Sequence, residues 1–221
     1  MSEFDQIPFG AAEFVDNAEP RCPCILLLDT SQSMAGEPIA ELNRGLRALK
    51  DDLAADALAT KRAEIAVITF GPVNIVSDFQ TADAFEPTHL TTTGDTPMGQ
   101  AIEVALDALE RRKEAYRANG ISYYRPWIFL ITDGAPTDVW STAAMRVREG
   151  EQAGKFALFA VGVRGANMDI LQQLAVRQPL RLEGLKFREL FQWLSSSLKR
   201  VSESQPGQTL ALPPPTGWAQ I

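Results

Sequence analysis

The sequence predicts an α/β protein, a three-layer α/β/α sandwich in which helices cover both faces of a mostly parallel sheet. Apolar runs of strand length alternate along the chain with segments whose apolar residues recur at helical spacing. Two of these runs, at 24–28 and 127–131, contain no charged residue. Such continuous runs are typical of strands that are buried on both faces of a parallel sheet.

Length and composition indicate one main domain that lies free of membranes and nucleic acid. The chain has 221 residues, 45% of them apolar, as is ordinary for a globular protein. Its net charge of -7 argues against binding to a phosphate backbone, which needs a basic face. No apolar run reaches membrane-spanning length, and the first residues lack the basic and apolar regions of a secretory signal. We therefore expect a cytoplasmic protein.

We divide the chain into an N-terminal extension (1–21), a domain (22–201) and a Pro-rich C-terminal tail (202–221). The extension is expected to be ordered and to pack on the domain surface. The tail is expected to be extended, and its Pro-Pro-Pro-Thr-Gly-Trp segment either binds an aromatic groove on a partner or packs back on its own domain. Cys22 and Cys24 are expected to be reduced structural thiols, with a redox pair or half of a metal site as the alternatives.

The first half of the domain is predicted to begin strand, helix, strand, strand. A helix follows the first strand, from Gly36-Glu-Pro38 to about residue 59, because proline is tolerated in the first helical turn. The second strand covers 64–70. The third, at 73–79, follows so short a turn that it must be antiparallel to the second, which makes it an edge strand.

The second half is predicted to continue the alternation. A long helix runs from about 97 to 117, with Thr96 at its N-cap. The remaining predicted elements are a strand at 127–132, a helix at 140–153, a strand at 156–163, a helix at 168–175, a strand at 180–182 and a helix at 185–201.

Polar side chains follow two of the buried strands. Asp29 ends the first strand and is followed by Ser31 and Ser33, whereas Asp133 follows the strand at 127–132 and Thr96 precedes a helix. If the two strands are neighbours where the strand order reverses, these five side chains face one crevice. Carboxylates and hydroxyls favour Mg²⁺ or Mn²⁺ over zinc. With only two carboxylates and neutral hydroxyls, a bound ion is expected to keep positive character and open or water-filled positions, where it can accept a carboxylate from outside.

Simpler explanations exist for several of these residues. Serine and aspartate are common in turns and helix caps in any protein. Asp95 is expected either to cap the helix that follows or to add an acceptor to the site, and Asp138 either to reach the rim of the site or to cap the helix near 140. His89, alone in a loop, is expected to lie at the surface or to take part in local packing rather than in catalysis.

The pattern of these residues resembles the metal-ion-dependent adhesion site of von Willebrand factor type A domains. The matching features are Asp29-x-Ser31-x-Ser33, Thr96 within Gly-x-Thr-Pro-Met-Gly, and Thr-Asp-Gly at 132–134 after a strand. The resemblance implies a Rossmann-like, six-stranded sheet in the order 3-2-1-4-5-6 with strand 3 antiparallel. It also implies that the three hydroxyls bind Mg²⁺ and that Asp29 and Asp133 bind it directly or through water.

Three further segments are similar to the bacterial TerY-like branch of this family, which is associated with tellurium resistance and chemical stress. They are Glu-Pro-Arg-Cys at 19–22, Gly-Glu-Pro-Ile at 36–39 and Asp-Gly-Ala-Pro-Thr-Asp at 133–138. By this resemblance, a protein partner would belong to a stress-response system that includes a phosphatase and a protein kinase.

The leading functional hypothesis is a non-enzymatic, Mg²⁺-dependent module that binds an acidic residue on a protein partner. The sequence has no nucleophile elbow, no P-loop and only one histidine. The alternatives are a Mg²⁺-dependent phosphoryl-transfer enzyme and a scaffold with a vestigial site. For the enzyme, Ser31 stands where an aspartyl-phosphate route would normally need a second acid.

Overall fold

The computed structural model describes residues 9–208 and 210–220 and, within the first helix, no side chain before Glu13. In this part of the chain, helices flank a seven-stranded sheet. The strands are β1 (Cys22–Asp29), β2 (Ala63–Phe70), β3 (Asn74–Thr81), β4 (Trp127–Thr132), β5 (Ala157–Gly162), β6 (Leu180–Leu182) and β7 (Ala219–Gln220). The helices are α1 (Phe9–Asp16), α2 (Glu37–Ala54), α3 (Ala59–Arg62), α4 (Met98–Ala118), α5 (Ser141–Gln152), α6 (Met168–Leu174) and α7 (Phe187–Ser202).

The strand order is β3-β2-β1-β4-β5-β6-β7, which confirms the predicted order and adds one strand. The five inner strands are parallel, and β3 and β7 pair antiparallel at the two edges. β1 pairs with β2 on one side and with β4 on the other, so the strand order reverses beside β1. The carboxyl ends of β1 and β4 therefore flank the crevice where open α/β sheets bind ligands.

Side chains of β1 contribute to both hydrophobic cores, as its continuous apolar sequence predicts. Cys24, Leu26 and Leu28 pack in the core beneath α2 and α7. Ile25 and Leu27 lie in the opposite core, beneath α4, α5 and α6. All five side chains are fully buried, so the strand that carries Asp29 is held on both faces.

The predicted elements agree with the structure within two residues, with one exception, and α1, α3 and β7 are additional elements. The helix that was expected to reach residue 59 ends at Ala54. The Asp56 carboxylate accepts hydrogen bonds from the amides of Leu58 and Ala59, at 3.0 and 2.8 Å, and so interrupts the helix before α3 begins. β7 was not predicted, because a two-residue strand after a proline-rich segment has no periodic pattern.

The N-terminal extension packs against the domain through the end of α1. Phe14 is buried and meets the Tyr116 ring edge to face, with ring centroids 5.9 Å apart. Arg112 of α4 forms an ion pair with Glu13 at 2.6 Å. Earlier apolar positions of the extension, Phe4 and Ile7, lie outside the described residues.

The C-terminal tail also packs back on its own domain, which was one of the two expectations for it. Trp218 is buried against Trp193 of α7, with ring centroids 5.5 Å apart. The Trp193 indole Nε1 donates a hydrogen bond to the Pro213 carbonyl at 2.9 Å. This anchoring brings β7 alongside β6 and completes the sheet.

Cys22 and Cys24 are free thiols buried at the start of β1, in agreement with a structural role. Burial raises the pKa of both thiols, so they stay protonated. Within the described ranges, none of the helices combines the length and the apolar character needed to cross a membrane.

Candidate metal centre

Asp29 is the innermost residue of the candidate site. β1 is buried along its whole length, so its last residue lies inside the molecule, and the Asp29 side chain is inaccessible to solvent. One carboxylate oxygen accepts a hydrogen bond from the Ser31 amide at 2.8 Å, and the other accepts one from the Thr132 hydroxyl at 2.6 Å. These two bonds fix the carboxylate between the ends of β1 and β4.

A chain of short contacts links three of the other predicted site residues. The hydroxyl oxygens of Ser31 and Ser33 lie 2.9 Å apart, and the Ser33 hydroxyl donates to Asp133 Oδ1 at 2.7 Å. Ser31 is buried, whereas Ser33 is exposed and Asp133 is partly exposed. The chain of oxygens therefore leads from the buried carboxylate to the protein surface.

Thr96 joins the group from the loop that precedes α4. A Cβ at Gly134, directly after Asp133, would lie 3.6 Å from Thr96 Oγ1, so this hydroxyl lies against the end of β4. Thr137 holds the Thr96 backbone from both sides: its hydroxyl accepts from the Thr96 amide at 3.2 Å, and its amide donates to the Thr96 carbonyl at 2.9 Å. The fold thus brings all five predicted residues to one edge of the sheet.

The start of α4 differs from the prediction. The N-cap is Pro97 rather than Thr96, and neither Thr96 nor Asp95 caps the helix with its side chain. Instead, the Asp138 carboxylate accepts hydrogen bonds from the amides of Gly99 and Gln100, at 3.0 and 2.8 Å. Asp138 therefore caps α4 from a loop 39 residues further along the chain, not the helix that follows it.

Two glycines allow the loops of the site to approach each other closely. Gly71 has a φ of +119°, and a Cβ there would lie 2.7 Å from the Ser31 amide nitrogen. A Cβ at Gly99 would lie 2.6 Å from the Val139 carbonyl oxygen. Both distances are shorter than a carbon atom tolerates, so a larger residue would displace the loop that carries Ser31 or the start of α4.

Sequence reasoning missed the supporting roles of Thr132 and Thr137, and it assigned Asp138 to the rim of the site or to the helix near 140 rather than to α4. Thr132 lies next to Asp133 in the Thr-Asp-Gly motif, but nothing in the sequence shows that its hydroxyl bonds to Asp29, 103 residues away. Thr137 and Asp138 follow β4 in a polar loop that is also typical of a surface turn. The only available signal was the polar pair at 137–138, a few residues after the strand.

The electrostatics of the site favour a cation. Burial raises the pKa of the Asp29 carboxyl and nearby Asp133 adds to the rise, whereas hydrogen bonds from Ser31 and Thr132 oppose it. Within the described residues, no lysine or arginine contacts Asp29, although buried carboxylates are usually paired with a cation.

The donor set fits a hard divalent ion. Two carboxylates and three hydroxyls supply only oxygen, the donor type that Mg²⁺ and Mn²⁺ prefer. No group of three or more His, Cys, Asp or Glu side chains suited to a metal ion occurs in residues 9–208 and 210–220. Any metal at this edge would therefore depend on the hydroxyls of Ser31, Ser33 and Thr96 together with the two carboxylates.

Fold and site together define an open α/β domain that presents carboxylates and hydroxyls where its strand order reverses. The chain belongs to the von Willebrand factor type A domain family, whose model matches residues 24–183. Domains of this family generally serve in protein interaction or adhesion and are typically non-enzymatic. No curated protein sequence matches the chain.

Several solved structures share the fold at low sequence identity. Proximal thread matrix protein 1 from the mussel byssus is 16% identical with a TM-score of 0.56, over 82% of this chain and 49% of that protein. The pilus adhesin SpaC from Lactobacillus rhamnosus GG is 12% identical with a TM-score of 0.61, over 84% and 31%. The vWF domain of the pilus tip protein Mfa5 from Porphyromonas gingivalis is 11% identical with a TM-score of 0.53, over 87% and 99%. This chain thus spans half or less of the first two proteins, and the likeness concerns the fold.

Proposed function

We propose that this chain is a Mg²⁺- or Mn²⁺-dependent protein-binding module whose partner presents an acidic side chain. The observation that carries the proposal is the chain of oxygens from Ser31 through Ser33 to Asp133, set above a buried Asp29 without a basic neighbour among the described residues. A bound ion would supply a Lewis-acidic position that accepts a carboxylate oxygen from the partner.

Each residue has a distinct part in this proposal. Asp29 and Asp133 would supply negative charge, directly or through water, while Ser31, Ser33 and Thr96 would supply neutral hydroxyl oxygens. The three hydroxyls are neutral, and an Asp that binds through water screens the ion only in part, so a bound ion would keep positive character and an open position that an acidic partner can fill. Ser33 and Asp133 are the accessible members of the set and would lie nearest to the partner.

The proposal describes a binding module rather than an enzyme. Ser31 stands two residues after Asp29, where an aspartyl-phosphate route would normally need a second acid, and a serine hydroxyl is too weak an acid for that role.

The similarity of segments 19–22, 36–39 and 133–138 to TerY-like proteins supports a role in bacterial tellurium resistance or chemical stress. We place the chain in the cytoplasm, in a complex with a phosphatase or a protein kinase of the same system. Without a bound ion, a protein with a net charge of -7 would repel an acidic partner, so recognition would depend on the metal.

The test is direct binding to a phosphatase and a protein kinase of the proposed stress-response system, measured with Mg²⁺ and with chelator. Asp29→Asn retains the size of the side chain. Its side-chain oxygen can still accept a hydrogen bond from the Ser31 backbone amide, so the fold should survive. Asp95→Asn is the matched control, because Asp95 is an exposed acid next to Thr96 that makes no hydrogen bond within the described residues.

We expect binding that requires the metal, is lost in Asp29→Asn and Ser33→Ala, and persists in Asp95→Asn. Binding of equal strength in chelator, or in Asp29→Asn, would show that the partner uses another surface.

A further inference from the structure

A cavity of about 390 Å³ opens at the end of the sheet opposite the candidate metal centre. It lies beside Trp127 and Ala157, the first residues of β4 and β5. Trp127 precedes Thr132 by five residues of extended strand, which places the two sites roughly 16 Å apart along β4. The volume falls within the range of small-molecule sites, about 300 to 1,000 Å³.

One wall of the cavity is apolar and aromatic. The rings of Trp127 and Phe159 meet edge to face with centroids 5.7 Å apart. Val201 of α7 and Leu212 of the tail also line the cavity. This wall offers an apolar surface against which aromatic and aliphatic groups can pack.

Two arginines that both contact Glu151 also line the cavity. Arg125 donates from Nη2 to the Glu151 backbone carbonyl at 2.9 Å and from Nε to the Phe156 carbonyl at 2.7 Å. Arg177 forms an ion pair with the Glu151 carboxylate, and its guanidinium carbon lies 5.4 Å from the centre of the Phe159 ring. Both guanidinium groups are therefore fixed at the edge of the cavity.

The charges of Arg125, Arg177 and Glu151 do not balance. Glu151 is buried, and its carboxylate also accepts the amides of Leu158 and Val176 at 3.0 and 3.3 Å. The two guanidinium groups and the single Glu151 carboxylate leave one uncompensated positive charge among these three residues. Within the described part of the chain, Nη1 of Arg125 and Nη2 of Arg177 make no hydrogen bond and remain able to donate.

We propose that this cavity is a second binding site, for an organic monocarboxylate with a flat apolar or aromatic body. The carboxylate would accept hydrogen bonds from Arg125 and Arg177, and the body would lie against Trp127 and Phe159. A single negative charge matches the one uncompensated positive charge. A phosphate monoester, with nearly two charges, would leave excess negative charge at an apolar wall.

The probes are 2-naphthoate and its neutral counterpart 2-naphthamide, titrated into the full chain by calorimetry. Chelator is present throughout, so that a carboxylate cannot bind through a divalent ion at Asp29. We expect one equivalent of 2-naphthoate to bind at least about tenfold more tightly than the amide, because only the acid forms charge-assisted hydrogen bonds. The same experiment on Asp29→Asn should give the same affinity, which separates this site from the candidate metal centre.

Arg125→Gln and Arg177→Gln should each remove most of the preference for the acid and leave the amide unaffected. Arg44→Gln, an exposed arginine on α2, is the matched control and should retain the preference. Arg177→Gln removes a partner from buried Glu151 and could unfold the protein. In that case Arg125→Gln, at an exposed position, provides the test. Equal binding of acid and amide, unchanged acid binding in Arg125→Gln, or no saturable binding of 2-naphthoate would each overturn the proposal.

Discussion

At the scale of single residues, the candidate metal centre depends on how Asp29 is held. Its carboxylate is buried, and its hydrogen bonds come from the Ser31 amide and the Thr132 hydroxyl. A carboxylate in this position is costly unless a cation or further donors compensate it. The residues that fix Asp29 therefore affect both the stability of the fold and any ion that binds there.

Thr132→Val tests this dependence, because valine keeps the shape of threonine and removes the donor. The variant leaves one Asp29 oxygen without a buried partner, and we expect the free energy of unfolding to fall by about 1 to 3 kcal/mol. Denaturant unfolding in chelator measures the change. Thr132→Ser, which retains the hydroxyl, should show a clearly smaller decrease in the free energy of unfolding. Equal stability of the valine variant and the wild type would mean that this hydrogen bond contributes nothing.

The ligand candidates could be predicted from sequence, whereas the residues that support them could not. Asp29 and Asp133 each end an apolar run, so their place at the edge of the sheet follows from strand polarity. The contact of Thr132 with Asp29 depends on β4 pairing beside β1, which sequence spacing alone does not show. Thr96 was placed at the correct edge, but its role as N-cap was wrong.

At the scale of elements, Asp138 connects the loop after β4 to the start of α4. Its carboxylate satisfies two amides in the first turn of α4, two of the four that a helix leaves without an internal partner. Its charge also complements the positive end of the helix dipole. This contact keeps the loop of Thr96 beside the loop of Asp133.

Asp138→Ala should lower the free energy of unfolding by about 1 to 2 kcal/mol, as loss of a helix cap does. It should also weaken any stabilisation by Mg²⁺, because Thr96 precedes the helix that loses its cap. Thermal unfolding with and without Mg²⁺ measures both effects. Asp95→Ala, two residues before Pro97 and exposed, is the comparison and should change neither. If the two variants behave alike, the Asp138 cap is not what holds α4 in place.

Most helices and strands could be predicted from the sequence. Strands buried on both faces give continuous apolar runs, and helices that cover the sheet give apolar residues at helical spacing. The exceptions depend on single side chains or distant contacts. Asp56 ends α2 early by bonding to nearby amides. β7 exists because Trp218 is anchored against α7, far from its neighbours in sequence.

At the scale of the whole molecule, a buried ion network ties the N-terminal extension to the domain. Glu64, at the start of β2, is fully buried and forms ion pairs with Arg21 and Arg112, each at 2.8 Å. The Tyr116 hydroxyl also donates to it. Arg112 in turn binds Glu13 of α1, so one carboxylate connects the extension, the sheet and α4.

Glu64→Gln removes the charge at the centre of this network and leaves two arginines with less compensation. Breaking one partner of a buried ion pair typically costs about 3 to 5 kcal/mol, and we expect a loss of that order in the free energy of unfolding. Glu41→Gln, in an exposed pair with Arg44, serves as control and should be indistinguishable from wild type. A small loss in Glu64→Gln, equal to that of the control, would show that the network is not needed to hold the extension.

The measurement that tests the central claim most directly is thermal unfolding of metal-stripped protein, titrated with Mg²⁺ and Mn²⁺. An ion that binds only the folded state adds about 2.7 kcal/mol at one hundred times its dissociation constant, or roughly 5 to 11 °C for a domain of this size. We predict this rise for the wild type and Asp95→Asn, and none for Asp29→Asn. No rise in the wild type, or the same rise in Asp29→Asn, would contradict a metal centre built on Asp29.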